Sequence, residues 1–258
     1  MKIGFCAALD RIEQAAAAGF DYIEPPISAM AAWTEQEFEK KLALAKKTGL
    51  PVLSFNVMFP GEIALLSPST KDEDILSYLH PAFSRVEALG GKIAVFGSGK
   101  SRTRPECLSY GEAFRRLSQV GRLIGEAAKC HGITAVVEPL HRGETNMINS
   151  VAEGADLVAA ANHPNLCLLA DYYHIAVEKE SPDNIVRVGG VSHVHLANEA
   201  GRSLPLPPEE GMEKMFTALK KTNYQGAISL ECKCDDLLND GAKALKMIRE
   251  LWEAAPAQ

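Results

Sequence analysis

Short apolar runs and longer helix-like stretches alternate along the whole chain, and this alternation is the strongest constraint on its fold. Eight runs of strand length lie at 3–6, 22–24, 52–55, 93–96, 135–138, 167–171, 191–196 and 227–231. Helix-like stretches follow them at 11–18, 34–48, 71–89, 110–131, 150–161, 182–188, 208–221 and 240–255. Strands that alternate with helices imply a parallel sheet. Eight such repeats favour a closed α/β barrel, the (β/α)8 or TIM barrel, over an open sheet.

The chain length agrees with this fold. The 258 residues are close to the ~250 that are typical of one (β/α)8 barrel, so we expect a single domain over 1–258. The only phosphate-like sequence, GSGK at 97–100, matches neither the dinucleotide-binding nor the P-loop fingerprint. An open nucleotide-binding sheet is therefore not indicated.

Composition and charge narrow the possible partners. The net charge of −6 and the pI near 5.7 give no basic surface for nucleic acid or for an anionic membrane. The N-terminal stretch becomes charged too early for a signal peptide, and six scattered cysteines are typical of reduced thiols. We therefore expect a cytoplasmic protein that binds a small molecule, and we leave an association of identical chains open.

Four side chains of the kind that bind metals each stand at or near the end of an apolar run. They are Glu138 in TAVVEPL, Asp171 in LCLLADYYH, His195 in VSHVHLANE and Glu231 in AISLEC. The functional groups of a (β/α)8 barrel lie at the C-terminal ends of its strands, so these four can reach one point. We expect His193, in contrast, to face the other side of its strand and to be structural.

Three carboxylates and one imidazole suit a divalent ion that tolerates oxygen ligands better than they suit a structural zinc. Mn²⁺ is the expected ion, with Mg²⁺, Co²⁺ or Zn²⁺ as alternatives. A substrate that chelates such an ion through a carbonyl and a neighbouring hydroxyl would lose the adjacent C–H proton more easily. Glu138 and Glu231 are then the candidate acid/base pair.

The order of these motifs resembles that of a known family. The matching residues are Glu138-Pro139-Leu140 with Glu144, Asp171 with His174, His193-Val194-His195 with Asn198, Glu199 and Arg202, and Glu231. The sequence resembles the xylose isomerase-like barrels, particularly the sugar isomerases and epimerases related to D-tagatose 3-epimerase, and more distantly endonuclease IV. One spacing departs from the epimerase pattern, because His195 and Arg202 are seven residues apart (202 − 195), one residue more than that pattern implies.

This resemblance implies a metal-dependent enzyme that isomerises or epimerises carbohydrates. It implies that Glu138, Asp171, His195 and Glu231 hold the metal. Substrate contacts are expected from Glu144, His174 and Arg202. Two bases on opposite faces of the substrate would give epimerisation through an enediolate, and one base acting on one face would give aldose–ketose isomerisation. The sequence supplies both glutamates and leaves both outcomes open.

The loop that follows the fourth strand is a candidate anion site. Its sequence, FGSGKSRTRPE, combines glycines with Ser98, Lys100 and Arg102. Exposed backbone N–H groups beside cations can bind the phosphate or carboxylate of a sugar phosphate or sugar acid. The alternative interpretation is a solvated loop whose basic side chains pair with surface acids.

Two other functions use related scaffolds. An inosose-type dehydratase, a lyase, would remove the same proton and then expel a β-hydroxyl group, so its residues would be the same. A phosphodiesterase similar to endonuclease IV is less favoured, because it needs a multi-metal cluster, more histidines and a basic surface.

Overall fold

Eight parallel strands form a nearly closed barrel in the computed structural model, which describes residues 1–256. The strands are β1 (Lys2–Cys6), β2 (Tyr22–Glu24), β3 (Ser54–Phe55), β4 (Ile93–Phe96), β5 (Thr134–Val137), β6 (Leu166–Asp171), β7 (His193–Leu196) and β8 (Ala227–Leu230). They are paired in the order β2-β1-β8-β7-β6-β5-β4-β3. A parallel bridge from Pro26 to Asn56 joins the two ends of this order. The predicted (β/α)8 barrel is confirmed.

Helices follow the strands and pack around the sheet. They are α1 (Ile12–Ala17), α2 (Ile27–Ala31), α3 (Glu35–Thr48), α4 (Asp72–Ala88), α5 (Tyr110–Cys130), α6 (Val151–Ala161), α7 (Tyr172–Val177), α8 (Asn184–Arg187), α9 (Glu210–Lys221) and α10 (Ala242–Ala254). The predicted strands and helices differ from the observed ones by at most two residues at either end. Within residues 1–256, no helix is long and apolar enough to cross a membrane.

Two short helices fall outside the sequence prediction. Helix α2 has five residues and α7 has six, so neither is long enough to show a hydrophobic repeat of 3.6 residues. Helix α7 begins directly after β6, where the side chain of Asp171 accepts a hydrogen bond of 2.8 Å from the backbone N–H of Tyr173. Asp171 is therefore both the last residue of β6 and the N-cap of α7.

The ends of α3 show how local sequence sets an element. Thr34 and Glu37 form a reciprocal capping box, in which the N–H of Glu37 donates to Oγ1 of Thr34 over 3.2 Å. The helix ends at Gly49, whose φ of 74° is the left-handed conformation that glycine adopts without strain. These signals fix α3 between β2 and β3.

The core has two parts because alternate residues of a strand face opposite sides of the sheet. A large apolar cluster fills the space between the strands and the helices. A separate cluster of Val95, Val136 and Leu169 occupies one half of the barrel interior. The other half contains buried polar side chains, which are Tyr22, Glu24, Ser54, His193 and Ser229. The barrel is thus polar inside on the side of β1, β2, β3, β7 and β8.

Strand register brings the ends of β6, β7 and β8 close together. Asp171 is the register partner of His195, and His195 is the partner of Ser229. The N–H of Glu231 donates to the carbonyl of Leu196 over 3.0 Å. Side chains that leave these strand ends on the inner face must converge.

Gly4 is required by the ring of Tyr22, its register partner on β2. A Cβ atom at Gly4 would lie 2.3 Å from Cε2 of Tyr22, which is fully buried. Gly4→Ala is therefore expected to lower the free energy of unfolding by about 1–3 kcal/mol through overpacking. Urea denaturation measures this change.

Gly111→Ala is the matched control for this prediction. A Cβ atom at Gly111, in the first turn of α5, would have Nη1 of Arg115 as its nearest neighbour at 3.9 Å. Alanine favours helix over glycine by about 1 kcal/mol, so this variant should be as stable as the parent or more stable. Equal stability of Gly4→Ala and the parent would contradict the packing account.

Candidate metal centre

Four side chains from four strands meet at the C-terminal end of the barrel. Glu138 follows β5, Asp171 ends β6, His195 lies in β7 and Glu231 follows β8. One ligand atom of each lies within 4.8 Å of those of the other three. Glu138, Asp171 and His195 are buried, and the side chain of Glu231 is 18% exposed. The structure brings together the four residues that the sequence singles out.

His195 has carboxylates on both sides of its ring. Its Nδ1 lies 3.2 Å from Oε1 of Glu138 and 3.2 Å from Oε2 of Glu231. Its Nε2 lies 2.8 Å from Oε1 of Glu24, the last residue of β2. The imidazole therefore connects the four-residue cluster to a carboxylate deeper in the barrel.

Glu24 is not among the site residues predicted from the sequence. It is fully buried, and its two oxygens contact two histidines, Oε1 to His195 and Oε2 to His193 at 2.9 Å. A signal was present, because Glu24 ends the apolar run YIE in the same way that Glu231 ends AISLE. The run is only three residues long, which makes the pattern weak by itself.

The expectation that His193 faces away from His195 is wrong. Both rings point into the barrel, with centroids 5.2 Å apart, and both reach Glu24. Neighbouring residues of a strand point to opposite faces, but residues two apart point to the same face. His193 is therefore part of the buried polar half of the barrel interior.

Mutual attraction determines the charge of Glu24 and His195. Burial alone would raise the pKa of Glu24, but His195 and His193 outweigh it and hold this pKa well below its usual range. Burial alone would lower the pKa of His195, but Glu24 and then Glu231 raise it well above its usual value. The two groups stabilise each other as an ion pair.

The two candidate acid/base glutamates have different surroundings. Burial and the nearby charge of Glu231 raise the pKa of Glu138. Burial would also raise the pKa of Glu231, but His195 and Arg202 outweigh it and lower this pKa to about 2. Burial raises the pKa of Asp171 to about 7 despite the charge of Arg202. Glu138 and Asp171 are therefore protonated more readily than free carboxyl groups, whereas Glu231 stays ionised at neutral pH.

Arg202 lies across the cluster. Its Nη2 contacts Oε2 of Glu231 and lies 3.2 Å from Oδ2 of Asp171, and its Nη1 lies 3.4 Å from Oε1 of Glu144. Its guanidinium stacks over the ring of Tyr173, with a distance of 4.8 Å from Cζ to the ring centroid. Glu144 and Arg202 are therefore beside the cluster, as the resemblance implies for substrate-binding residues.

The loop after β7 accommodates the longer spacing between His195 and Arg202. Gly201 and Arg202 both have left-handed backbones, with φ of 68° and 51°. A bridge between Asn198 and Ser203 closes this loop. The left-handed turn allows Arg202 to reach the site despite the additional residue.

His174 presents one polar atom towards the site. Its Nδ1 accepts a hydrogen bond of 3.0 Å from the backbone N–H of His141, so the ring proton is on Nε2. That Nε2 lies 3.5 Å from Oδ2 of Asp171 and has no hydrogen-bond partner within residues 1–256. Burial, together with the charge of Arg202, lowers the pKa of His174 to about 2. A neutral imidazole with a free N–H can donate to a ligand oxygen.

The predicted anion site does not present its three side chains in one direction. Arg102 is fully buried, and its guanidinium donates to the carbonyl of Glu138 over 2.6 Å and to the last carbonyl of β4 over 3.2 Å. Oγ of Ser98 accepts from the backbone N–H of Phe59 over 2.9 Å, and Lys100 is exposed. The guanidinium of Arg102 therefore binds backbone carbonyls at the ends of β4 and β5 and not an external anion.

Gly97, which follows β4, makes room for Glu138. A Cβ atom at this position would lie 2.2 Å from Oε2 of Glu138. The glycines of this loop, read from the sequence as part of an anion site, therefore have a steric role at position 97. The loop controls where the Glu138 carboxylate can lie.

The four residues fit a divalent metal ion. Three carboxylates and one imidazole form a donor set suited to Mn²⁺, Mg²⁺ or Co²⁺. The far nitrogen of His195, Nε2, contacts a carboxylate, and metal-binding histidines usually make such a contact. Glu138, Asp171, His195 and Glu231 are the residues that would hold the ion.

Comparison with known proteins defines the family. The chain matches the xylose isomerase-like TIM barrel family over residues 12–252 and belongs to it. It is similar to D-psicose 3-epimerase of Ruminiclostridium cellulolyticum, with 24% identity over 229 residues, 85% of this chain and 76% of the relative. It is also similar to 3-dehydro-D-guloside 4-epimerase of Escherichia coli, with 27% identity over 209 residues, 75% and 76% of the two chains.

A solved structure supports the fold assignment. D-psicose 3-epimerase of Clostridium cellulolyticum H10, solved with D-tagatose, superposes with a TM-score of 0.85 at 19% identity, covering 98% of this chain and 99% of that one. The family that the sequence resembles is thus confirmed, and so is the prediction that the chain is an enzyme.

The steric role of Gly97 gives a test of the cluster. Gly97→Ala should displace the carboxylate of Glu138 and weaken Mn²⁺ binding about tenfold or more, as disturbed ligand orientation does. The thermal midpoint should change little, because the displaced group is the end of a flexible side chain. Mn²⁺ titration followed by electron paramagnetic resonance (EPR) measures the affinity.

Gly61→Ala is the control, because its Cβ atom would meet only the aliphatic stem of Lys100 at 3.2 Å. Its Mn²⁺ affinity should equal that of the parent. Parent-like Mn²⁺ binding by Gly97→Ala would show that Glu138 is not a ligand in this position.

Proposed function

We propose that this protein is a divalent-metal-dependent sugar epimerase, with Mn²⁺ as the preferred ion. The observation that carries the proposal is the convergence of Glu138, Asp171, His195 and Glu231 within 4.8 Å. An ion bound there would polarise a substrate carbonyl and so acidify the neighbouring C–H bond. The proposed substrate is a ketose or another sugar with a ketone group.

Glu138 and Glu231 are the proposed proton-transfer pair. They leave strands β5 and β8, which are not neighbours, and approach Nδ1 of His195 with oxygens at the same distance of 3.2 Å. Of two carboxylates that approach from different sides, one can remove the C–H proton from one face of the sugar to leave an enediolate, and the other can return a proton to the same carbon from the opposite face. This arrangement supports epimerisation over aldose–ketose isomerisation, which needs only one base.

Three further residues are proposed to bind the sugar. Nε2–H of His174 is free to donate to a hydroxyl or enediolate oxygen. The guanidinium of Arg202 can hold a second oxygen, and the carboxylate of Glu144, whose side chain is 38% exposed, can accept from a hydroxyl. Together they would orient the C–H bond towards the acid/base pair.

The names of the two relatives both describe inversion of a carbon next to a ketone. A ketose 3-epimerase inverts the carbon next to the ketone at C2, and a 3-dehydro-sugar 4-epimerase inverts the carbon next to the ketone at C3. Both reactions remove a proton adjacent to a carbonyl. We propose the same step here, with the carbon inverted and the identity of the sugar to be determined by experiment.

Hydrogen exchange with solvent tests the proposal. The protein loaded with Mn²⁺ is incubated in D₂O with D-fructose, D-tagatose, D-psicose, 3-keto-glycosides and inososes, and deuterium uptake is followed by mass spectrometry and NMR. We expect Mn²⁺-dependent uptake at one carbon and a stereoisomer of otherwise unchanged mass. Glu138→Gln and Glu231→Gln should each reduce the rate about 10²–10⁴-fold.

Glu126→Gln is the matched control, because Glu126 is exposed and pairs only with Arg122 of the same helix. It should exchange at the parent rate. Loss of water to give an unsaturated product would instead identify the dehydratase. Exchange that continues without metal, or that survives both glutamine substitutions, would contradict the proposal.

A further inference from the structure

Glu24 lies inside the barrel, on the far side of the His195 ring from the three carboxylates of the candidate metal site. It is fully buried, and its contact with the cluster is through the ring of His195. The same imidazole presents Nδ1 to Glu138 and Glu231 and Nε2 to Glu24. Since the nitrogens of an imidazole point away from each other, a group held at Nε2 fixes the direction of Nδ1.

Each oxygen of Glu24 has its own partner. Oε1 lies 2.8 Å from Nε2 of His195, and Oε2 lies 2.9 Å from Nε2 of His193. The hydroxyl of Ser229 also donates to Oε2, and the hydroxyl of Tyr22 lies 2.7 Å from that of Ser229. A carboxylate bound at both oxygens cannot rotate without breaking a buried hydrogen bond.

We propose that Glu24, held in place by His193, is the positioning residue that aims Nδ1 of His195 at the metal ion. This inference rests on the metal site of the proposed function. Glu24 cannot touch the substrate, because the ring of His195 separates it from the cluster and none of its surface is exposed. Its effect must therefore pass through the orientation and proton position of that ring.

His193 is part of the hydrogen-bond network that holds Glu24. Its Nε2 faces Oε2 of Glu24 and lies 3.3 Å from Oγ of Ser54, while its Nδ1 has no partner in the described part of the chain. Leaving Nδ1 of a fully buried histidine without a partner costs free energy, and the contact of Nε2 with the Glu24 carboxylate offsets part of this cost. Holding Oε2 leaves Oε1 directed at His195.

The test measures metal binding by the full chain in the absence of substrate. The dissociation constant for Mn²⁺ is measured by EPR, and electron spin-echo modulation reports the imidazole nitrogen bound to Mn²⁺. Glu24→Gln should weaken Mn²⁺ binding about 10–100-fold, the usual cost of losing such a partner. The nitrogen modulation should weaken as well, which a loss of stability alone would not cause.

Two further variants keep the inference falsifiable. Glu24→Asp retains the charge but withdraws the carboxylate, so we expect a smaller loss of affinity in the same direction; it decides the question if Glu24→Gln does not fold. Tyr22→Phe is the control, because it removes a buried hydroxyl of the same network whose hydrogen-bond partner within residues 1–256 is Ser229. Tyr22→Phe should bind Mn²⁺ as the parent does.

The outcomes separate this inference from the proposed function. If the parent binds Mn²⁺ with a nitrogen ligand and the folded Glu24 variants bind it equally well, the role of Glu24 is overturned and the metal site stands. If the parent binds no Mn²⁺, both are overturned. If Tyr22→Phe loses as much affinity as Glu24→Gln, the effect belongs to the barrel interior in general and the specific role is overturned.

Discussion

The rest of this structure depends on burying four carboxylates at one end of a barrel. Glu24, Glu138 and Asp171 are almost fully buried and Glu231 is mostly so. Burying an ionised carboxylate without a partner is very costly, so each must meet a cation or a hydrogen-bond donor. His195 and Arg202 supply this from inside the cluster, and a divalent ion would supply the remaining positive charge.

Several features that have no chemistry of their own serve this cluster. Arg102 is buried and donates to the backbone carbonyl of Glu138. Gly97 leaves space for the carboxylate of Glu138. The register of β6 and β7 places Asp171 directly beside His195, and the apolar cluster of Val95, Val136 and Leu169 fills the interior on the side of β4, β5 and β6. Precise placement of ligands requires a rigid support of this kind.

The sequence predicts the strands and helices of this molecule better than the contacts of its buried polar side chains. Strand and helix positions follow from hydrophobic periodicity. The candidate ligands Glu138, Asp171 and Glu231 follow from polar residues that end apolar runs. Glu24 also ends an apolar run, but this run has only three residues, so the sequence pattern alone is weak evidence for a site residue. The role of Arg102 is not predictable, because only the three-dimensional structure shows whether a cation in a loop faces solvent or the strand ends. The turn that brings Arg202 into the site likewise depends on a backbone conformation.

The most direct test of the central claim is the position of the metal itself. A crystal grown with Mn²⁺ and measured at the manganese absorption edge locates the ion by anomalous scattering. The account predicts one strong peak about 2.0–2.2 Å from oxygens of Glu138, Asp171 and Glu231 and from Nδ1 of His195. It also predicts that Nε2 of His195 remains bound to Glu24. A peak elsewhere, or none between these four side chains, would contradict it.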